Sequence, residues 1–290
     1  MGKRLTLFAG HYGSGKTNIA LNYARRLKES SAAEVCIADL DIVNPYFRTK
    51  DSAADLEAAG IRLVVSEFAN SNVDFPALPR EIYALTAPQR PVHPSSNSPI
   101  PQSPNPPIKQ SNNRTIPQSP NQTIEQPNNR TIEQSNNQTI EQPNNRTIEQ
   151  SNNQTIPLVV MDIGGDDRGA LALGRYVPDI KAENDYEMLA VVNASRPLTR
   201  TPEDTVEVLR EIESACQLPF TGIVNNTNLG KETTAADILA SLPYAESVAR
   251  LMSIPVRFTC APESLVSELE GKVRDLFPLR IQKLYYQLGQ

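Results

Sequence analysis

The sequence predicts an α/β fold: a doubly wound, mostly parallel sheet of about seven strands with helices on both faces, interrupted by a disordered repeat insert. Three observations predict it. Apolar runs of strand length recur along the chain, helix-like segments separate them, and a glycine-rich turn links the first run to the first helix. Several runs are continuously apolar, as expected of strands covered on both faces in a parallel sheet.

In chain order the strand-length runs are LTLFAG (5–10), EVCIADL (34–40), IRLVVSEF (61–68), LVVMDIG (158–164), MLAVVNA (188–194), FTGIVNN (220–226) and IPVRFTC (254–260). Between them, residues 17–30 and 201–215 carry helical spacing. In the second of these, Thr201 is placed to cap the helix, Pro202 opens its first turn and acids follow. The last segment, FPLRIQKLYYQLGQ, sets Leu279, Ile281, Leu284, Tyr285 and Leu288 at roughly helical spacing. It reads as a helix docked on its own domain, because a membrane-surface helix needs a stronger basic face.

Residues 91–156 shift to Pro, Asn, Gln, Ser and Thr, and an eight-residue unit (NNRTIEQP and variants) recurs within them. Each unit offers one isoleucine and no aromatic, so stacked copies cannot bury enough apolar surface to offset the entropy of ordering. This stretch reads as a low-complexity, disordered insert in a surface loop. Residues 1–90 and 157–290 then form a single nucleotide-binding domain. Across the 290 residues the net charge is -5, without the basic clusters that non-specific nucleic-acid binding requires. The three cysteines, Cys36, Cys216 and Cys260, are far apart and form no C-x-x-C pair, so buried free thiols are expected. The apolar start is too short for a signal peptide and no run reaches a membrane span of about 18 residues. A cytoplasmic protein that does not engage a membrane is expected.

Gly10, Gly15, Lys16 and Thr17 satisfy G-x-x-x-x-G-K-[ST] within GHYGSGKTN, residues 10–18. The context is the one this pattern needs: a strand ends at the first glycine and a helix starts at the lysine. Backbone N–H groups from Gly10, Gly13, Ser14 and Gly15 through Asn18 would converge on phosphate oxygens at a helix N-terminus. Lys16 would reach the β and γ phosphates, and the Thr17 hydroxyl would bind Mg²⁺. Two acidic motifs stand where such a loop needs them. Asp39 and Asp41 close the second strand, and Asp162 closes the fourth, followed by Gly164 and Gly165. Asp162 is placed for Mg²⁺, directly or through water, with Asp39 beside it as a further metal or catalytic carboxylate. Helix capping is the alternative role for Asp39 and Asp41. Asp166 and Asp167 read as solvated loop acids and Arg168 as a surface ion pair.

With GHYGSGKT, ADLDIVNP, VVMDIGG and GIVNNTN, the chain resembles the MinD/ParA family of P-loop ATPases and its CobQ/CobB relatives, over about residues 4–88 and 157–270. The resemblance implies that Asp41 positions the attacking water, that Asp162 is the Walker B carboxylate, and that Asn44 and Arg48 lie in the first switch. It also implies an adenine-contacting Asn at Asn225 or Asn226, with Pro262 on the other wall of the base pocket. Chemistry agrees on ATP: residues 225–228 are N-N-T-N, so the carboxylate that would accept from guanine is replaced by amides, which both donate and accept. Turn satisfaction is the alternative for these asparagines.

The chain departs from that family at its signature lysine, where it carries His11, and Tyr12 follows in place of a glycine. An imidazole is shorter than a lysine side chain and mostly neutral near pH 7. A nucleotide-dependent homodimer therefore needs another cation, and Arg48 is a candidate. The first functional expectation is an ATPase whose nucleotide state gates an unidentified protein partner. The alternatives are an amide-forming ligase of the CobB or dethiobiotin synthetase kind, a metal-cofactor insertase, and a module that binds nucleotide without turnover. A glutaminase half would require a nucleophilic cysteine, and neither Cys216 nor Cys260 has that context.

Overall fold

The computed structural model describes residues 3–40, 53–64, 80–88, 156–165 and 167–280. They belong to one unit, Met1–Arg90 with Gln154–Gln290. The second unit, Pro91–Asn153, carries the repeats and lies outside the described residues, as do Asp41, Asn44, Arg48 and Asp166.

Eight strands form one sheet among the described residues: β1 Leu5–Ala9, β2 Val35–Leu40, β3 Ile61–Val64, β4 Leu158–Ile163, β5 Tyr186–Val192, β6 Gly222–Asn225, β7 Val256–Pro262 and β8 Leu276–Leu279. Their order is β3-β2-β4-β1-β5-β6-β7-β8, and every neighbouring pair is parallel. The helices are α1 Lys16–Ser30, α2 Ala53–Ala58, α3 Arg80–Thr86, α4 Asp167–Gly174, α5 Val177–Glu183, α6 Pro202–Cys216, α7 Ala235–Met252 and α8 Val266–Leu269.

The period of two along each strand assigns the faces. Phe8, Ile37, Val160, Leu189 and Val191 join Ile19, Ala20 and Ala24 of α1 and Leu56 of α2 in one core. Their strand neighbours Leu7, Ala38, Met161 and Ala190 join Ile82 of α3, Leu173 of α4, Ile180 of α5 and Leu209 of α6 in the other. Each fully buried side chain of this size contributes about 1.5–3 kcal/mol relative to exposure. Helices on both faces are thus held by the same strands, which explains why the strands read as continuous apolar runs. At helix starts, the Thr201 side chain accepts from the Asp204 N–H at 3.2 Å, as its position predicts, and Thr234 and Asp237 form a reciprocal box at the head of α7.

The eighth strand corrects the helical reading of the C-terminal segment at its start. Phe277 and Leu279 are both buried in the α1 core at a period of two, with Pro278 between them. A proline inside a helix would remove a ladder hydrogen bond and clash with the preceding turn, whereas the outermost strand of a sheet tolerates it. Residues 281–290 lie outside the described residues. The end of β8 is tied to α1: the Arg280 N–H donates to Asn22 Oδ1 at 3.0 Å, and Asn22 Nδ2 donates back to the Arg280 carbonyl at 3.2 Å.

In the strand order, β1 sits between β4 and β5, the point at which connections turn to opposite sides of the sheet. Ligands of open α/β sheets bind at the carboxyl ends of strands beside such a switch. The loop leaving β1 is the glycine-rich loop.

Candidate phosphate-binding site

Gly15 is the N-cap of α1, with φ 92° and ψ 21°, a left-handed conformation that favours glycine. Having no side chain, it leaves the first-turn N–H groups of α1 without the capping that Ser, Thr or Asp would supply. The space is also closed, because a Cβ on Gly15 would overlap the Asn226 side-chain amide. Three loop carbonyls accept hydrogen bonds from side chains outside the turn or at its end. Lys16 Nζ donates to the His11 carbonyl at 3.3 Å, Arg196 Nε to that of Gly13 at 2.9 Å, and Asn226 Nδ2 to that of Ser14 at 2.6 Å. These bonds, with the Ser14 N–H donating to the His11 carbonyl at 3.2 Å, fix the peptide planes of the loop, and a glycine-rich loop at a helix N-terminus is the arrangement that receives an anion. Lys16 is 6% exposed, so its ammonium is held in the loop and not in solvent.

The acids fall on the correct face. In the parallel register Asp39 stands opposite Asp162, and Phe8 of β1 stands opposite Asp162 on its other side. Paired residues share a face, and Phe8 packs in the α1 core, so both carboxylates project on the α1 side of the sheet. Thr17 Oγ1, in the first turn of α1, donates to Asp162 Oδ2 at 2.5 Å, and Asp162 is buried. Gly165 follows on the same edge. A Cβ there would approach Lys16 Nζ and the Tyr12 nitrogen at 2.8 Å each, so only glycine lets the segment after β4 lie against the loop. The doubly wound parallel sheet and this loop–strand pairing decide the fold class. The fold is that of a P-loop NTPase.

The donor set suits Mg²⁺. It consists of a hydroxyl and carboxylates, hard oxygens, and no group of three His, Cys, Asp or Glu side chains forms a cage among the described residues. Mg²⁺ characteristically takes one or two protein oxygens and completes its shell with water and substrate phosphates. Thr17 and Asp162 would hold it, with Asp39 adjacent.

On the other side of β1 the structure brings in residues that the motifs do not mark. Asn193, at the end of β5, accepts from the Ser195 N–H at 2.9 Å, and the Asn228 N–H reaches the same oxygen at 3.4 Å. Thr227 Oγ1 accepts from the Ala194 N–H at 3.1 Å. The ends of β5 and β6 are thereby joined, and Asn226 links both to Ser14. Asn225 is fully buried; its Nδ2 donates to Ser241 Oγ at 2.8 Å and its Oδ1 accepts from the Thr227 N–H at 3.2 Å. Asn225 satisfies a local turn through the Thr227 N–H, whereas Asn226 Nδ2 reaches across to the phosphate loop at Ser14. Pro262 ends β7 on the same carboxyl edge, beyond β6. Asn18 faces α1 itself, its carbonyl accepting from Asn22 Nδ2 at 2.7 Å. The His11 ring Nδ1 lies 2.9 Å from the Tyr12 carbonyl, which can only accept, so that nitrogen carries the proton.

The thiols are not part of this edge chemistry. Cys36, Cys216 and Cys260 are free and buried, and burial pushes all three above the usual thiol range, away from the thiolate that nucleophiles and metal ligands need.

No protein-family profile matches the chain, nor does any curated protein sequence. Solved structures do. FtsY from Mycoplasma mycoides aligns at 14% identity and a TM-score of 0.46, covering 88% of this chain and 58% of that one. Chloroplast FtsY from Physcomitrella patens aligns at 15% and 0.46, covering 88% and 57%. The Signal Recognition Particle 54 kDa protein from Aeropyrum pernix K1, in complex with GDP, aligns at 12% and 0.44, covering 89% and 41%. The chain thus matches 57–58% of the length of these FtsY structures. At these identities and scores the likeness says nothing of substrate or partner, and the fold assignment stands on the strand order and the loop.

Proposed function

We propose that this chain is a Mg²⁺-dependent ATP-binding protein and ATP hydrolase of the MinD/ParA and CobQ/CobB class, whose nucleotide state gates contact with a protein partner. The observation that carries this reading is the 2.5 Å contact of Thr17 Oγ1 with Asp162 Oδ2 beside a loop whose carbonyls are held by Arg196 and Asn226. In this mechanism N–H groups of the loop and the Lys16 ammonium bind the β and γ phosphates and stabilise charge as the terminal phosphoryl group leaves. Thr17 and Asp162 would hold Mg²⁺, which neutralises phosphate charge when bound. Asp41, carried over from the resemblance, orients the attacking water, and Asp39 stands two residues before it in the sequence.

ATP is favoured by the composition of residues 225–228, where no carboxylate is available to accept from the guanine N1–H and N2–H. With Asn225 Nδ2 on Ser241 and Asn226 Nδ2 on Ser14, donation to a base from either amide would have to displace a protein hydrogen bond. The cysteine environments weaken the glutaminase-coupled ligase and the insertase alternatives, which draw on an activated thiol, and leave a ligase of the dethiobiotin synthetase kind, which needs none, to the hydrolysis test.

The test is steady-state hydrolysis of ATP and GTP by wild type, Lys16→Ala and Asp41→Ala, with oligomeric state measured with and without a slowly hydrolysed ATP analogue. The reading expects Mg²⁺-dependent turnover of ATP over GTP in wild type, lost in both variants. Turnover that survives Lys16→Ala, or a preference for GTP, would overturn it.

A further inference from the structure

Among the described residues, Arg196 is a cation at this site that no motif marks. Its Nε donates to the Gly13 carbonyl at 2.9 Å, and the same nitrogen lies 3.7 Å from where a Cβ on Gly13 would sit, so the side chain lies along the middle of the loop. A guanidinium has five N–H donors in a rigid plane. One is fixed on Gly13, and covalent geometry keeps the other four within a few ångströms of the loop. Among the described residues Arg196 forms no ion pair with a carboxylate, unlike Arg4, Arg62, Arg257 and Arg280.

The turn that carries Arg196 is held from several sides. The Arg196 N–H donates to the Asn193 carbonyl and the Thr199 N–H to the Arg196 carbonyl, each at 3.2 Å. Thr199 Oγ1 also donates to the Asn193 carbonyl at 2.7 Å, and the Tyr244 hydroxyl reaches the Thr199 carbonyl at 2.9 Å from α7. Burial pushes the Tyr244 hydroxyl up to about 12, so it remains a donor across the physiological range. A cation on a turn so fixed is pre-organised, which is what makes a charge effective at a reacting phosphate. Within the loop, the His11 ring turns its Nδ1 to the Tyr12 carbonyl at 2.9 Å, so Lys16 is the loop's own fixed cation.

We propose that Arg196 is a phosphate-contacting residue acting within its own chain: Nε anchors it on Gly13, and its remaining donors supply, from the turn after β5, a cationic charge beside that of Lys16. This rests on the nucleotide-binding reading and adds to it the residue that stabilises the terminal phosphate. A residue that only braces the loop would affect every nucleotide alike. A residue that meets charge developing on the transferred group would affect the transition state more than the product complex.

The test is equilibrium binding of a fluorescent ADP to the full chain with Mg²⁺, with and without aluminium fluoride to imitate the transferring phosphoryl group. It uses wild type, Arg196→Gln and Arg196→Lys, with the thermal midpoint of each recorded. In wild type, fluoride is expected to tighten ADP binding. In Arg196→Gln, ADP affinity should stay within about threefold, while the tightening by fluoride falls by about a hundredfold or more, and Arg196→Lys should recover part of it. Fluoride tightening that persists in Arg196→Gln would overturn the proposal and leave the nucleotide reading standing. Equal losses of ADP affinity, fluoride affinity and thermal midpoint in both variants would reduce Arg196 to a brace and also overturn it. A wild type that binds no ADP would remove the nucleotide reading and this proposal together.

Discussion

The two sides of β1 build one site by different means. On the β4 side, the loop from Gly10 to Thr17 meets Asp162 and Gly165, and each residue is there for a reason local to its own motif: a positive φ, a metal-binding oxygen, room for a backbone. On the β5–β6 side, Asn193, Asn225, Asn226 and Thr227 act through partners farther away in sequence, holding one loop against the next. On this account the first side carries the motif-encoded chemistry, while Asn193, Asn225, Asn226 and Thr227 hold its shape. Substitutions on the first side should therefore remove function with little effect on folding, while those at these four residues should do both in proportion.

The largest expected effect is that of Lys16→Ala. Loss of a buried, charge-assisted phosphate contact should weaken ATP binding by at least about a hundredfold, measured by calorimetric titration, with the thermal midpoint of the free protein nearly unchanged. Gly165→Ala comes next. A methyl group about 2.8 Å from Lys16 Nζ and the Tyr12 nitrogen must displace the lysine or the loop, and an overpacking cost of about 1–3 kcal/mol borne by the nucleotide-competent loop is a loss of about five- to 150-fold in ATP affinity. On the opposite side, Asn226→Ala leaves the Ser14 carbonyl without its 2.6 Å donor. A cost of about 1–3 kcal/mol should appear in thermal stability as well as in affinity, and a loss confined to affinity would break the contrast between the two sides.

Two smaller effects calibrate these. Thr234→Ala removes the capping box at the head of α7 and should lower unfolding free energy by about 1 kcal/mol, read by chemical denaturation, without changing nucleotide affinity. Deletion of residues 92–156 with a short linker should leave ATP affinity within about twofold. Buried Arg4 lies at both ends of the excision: its Nη1 donates to the Leu85 carbonyl at 2.9 Å and its own carbonyl accepts from the Val159 N–H at 2.8 Å. The residues flanking the insert are thus already held close together.

The same contrast explains what was legible in the sequence. Gly15, Lys16 and Thr17 announce themselves because the backbone conformation they impose is local, and Asp162 because a lone carboxylate ends an apolar strand. Arg196 is invisible, since its partner Gly13 stands 183 positions away and the segment N-A-S-R-P has no spacing rule. Asn225 shows the limit of residue chemistry: an amide can address adenine or a turn equally well, and only the fold reveals Ser241 and the Thr227 N–H as its partners. The C-terminal segment was ambiguous because a short apolar run satisfies both helical and alternating spacing, and the position of Pro278 on an outer strand resolves it only once the strand order is known.

The central claim is that Gly10–Thr17 and Asp162 form a cradle for a magnesium–nucleoside triphosphate. It is tested most directly by titrating ATP into the wild-type protein and Thr17→Ala, each with Mg²⁺ and with a chelator. The account predicts tight binding with Mg²⁺ and weaker binding with chelator in wild type, and loss of that difference in Thr17→Ala. Absence of ATP binding at millimolar concentration, or an Mg²⁺ dependence that survives in Thr17→Ala, would contradict it.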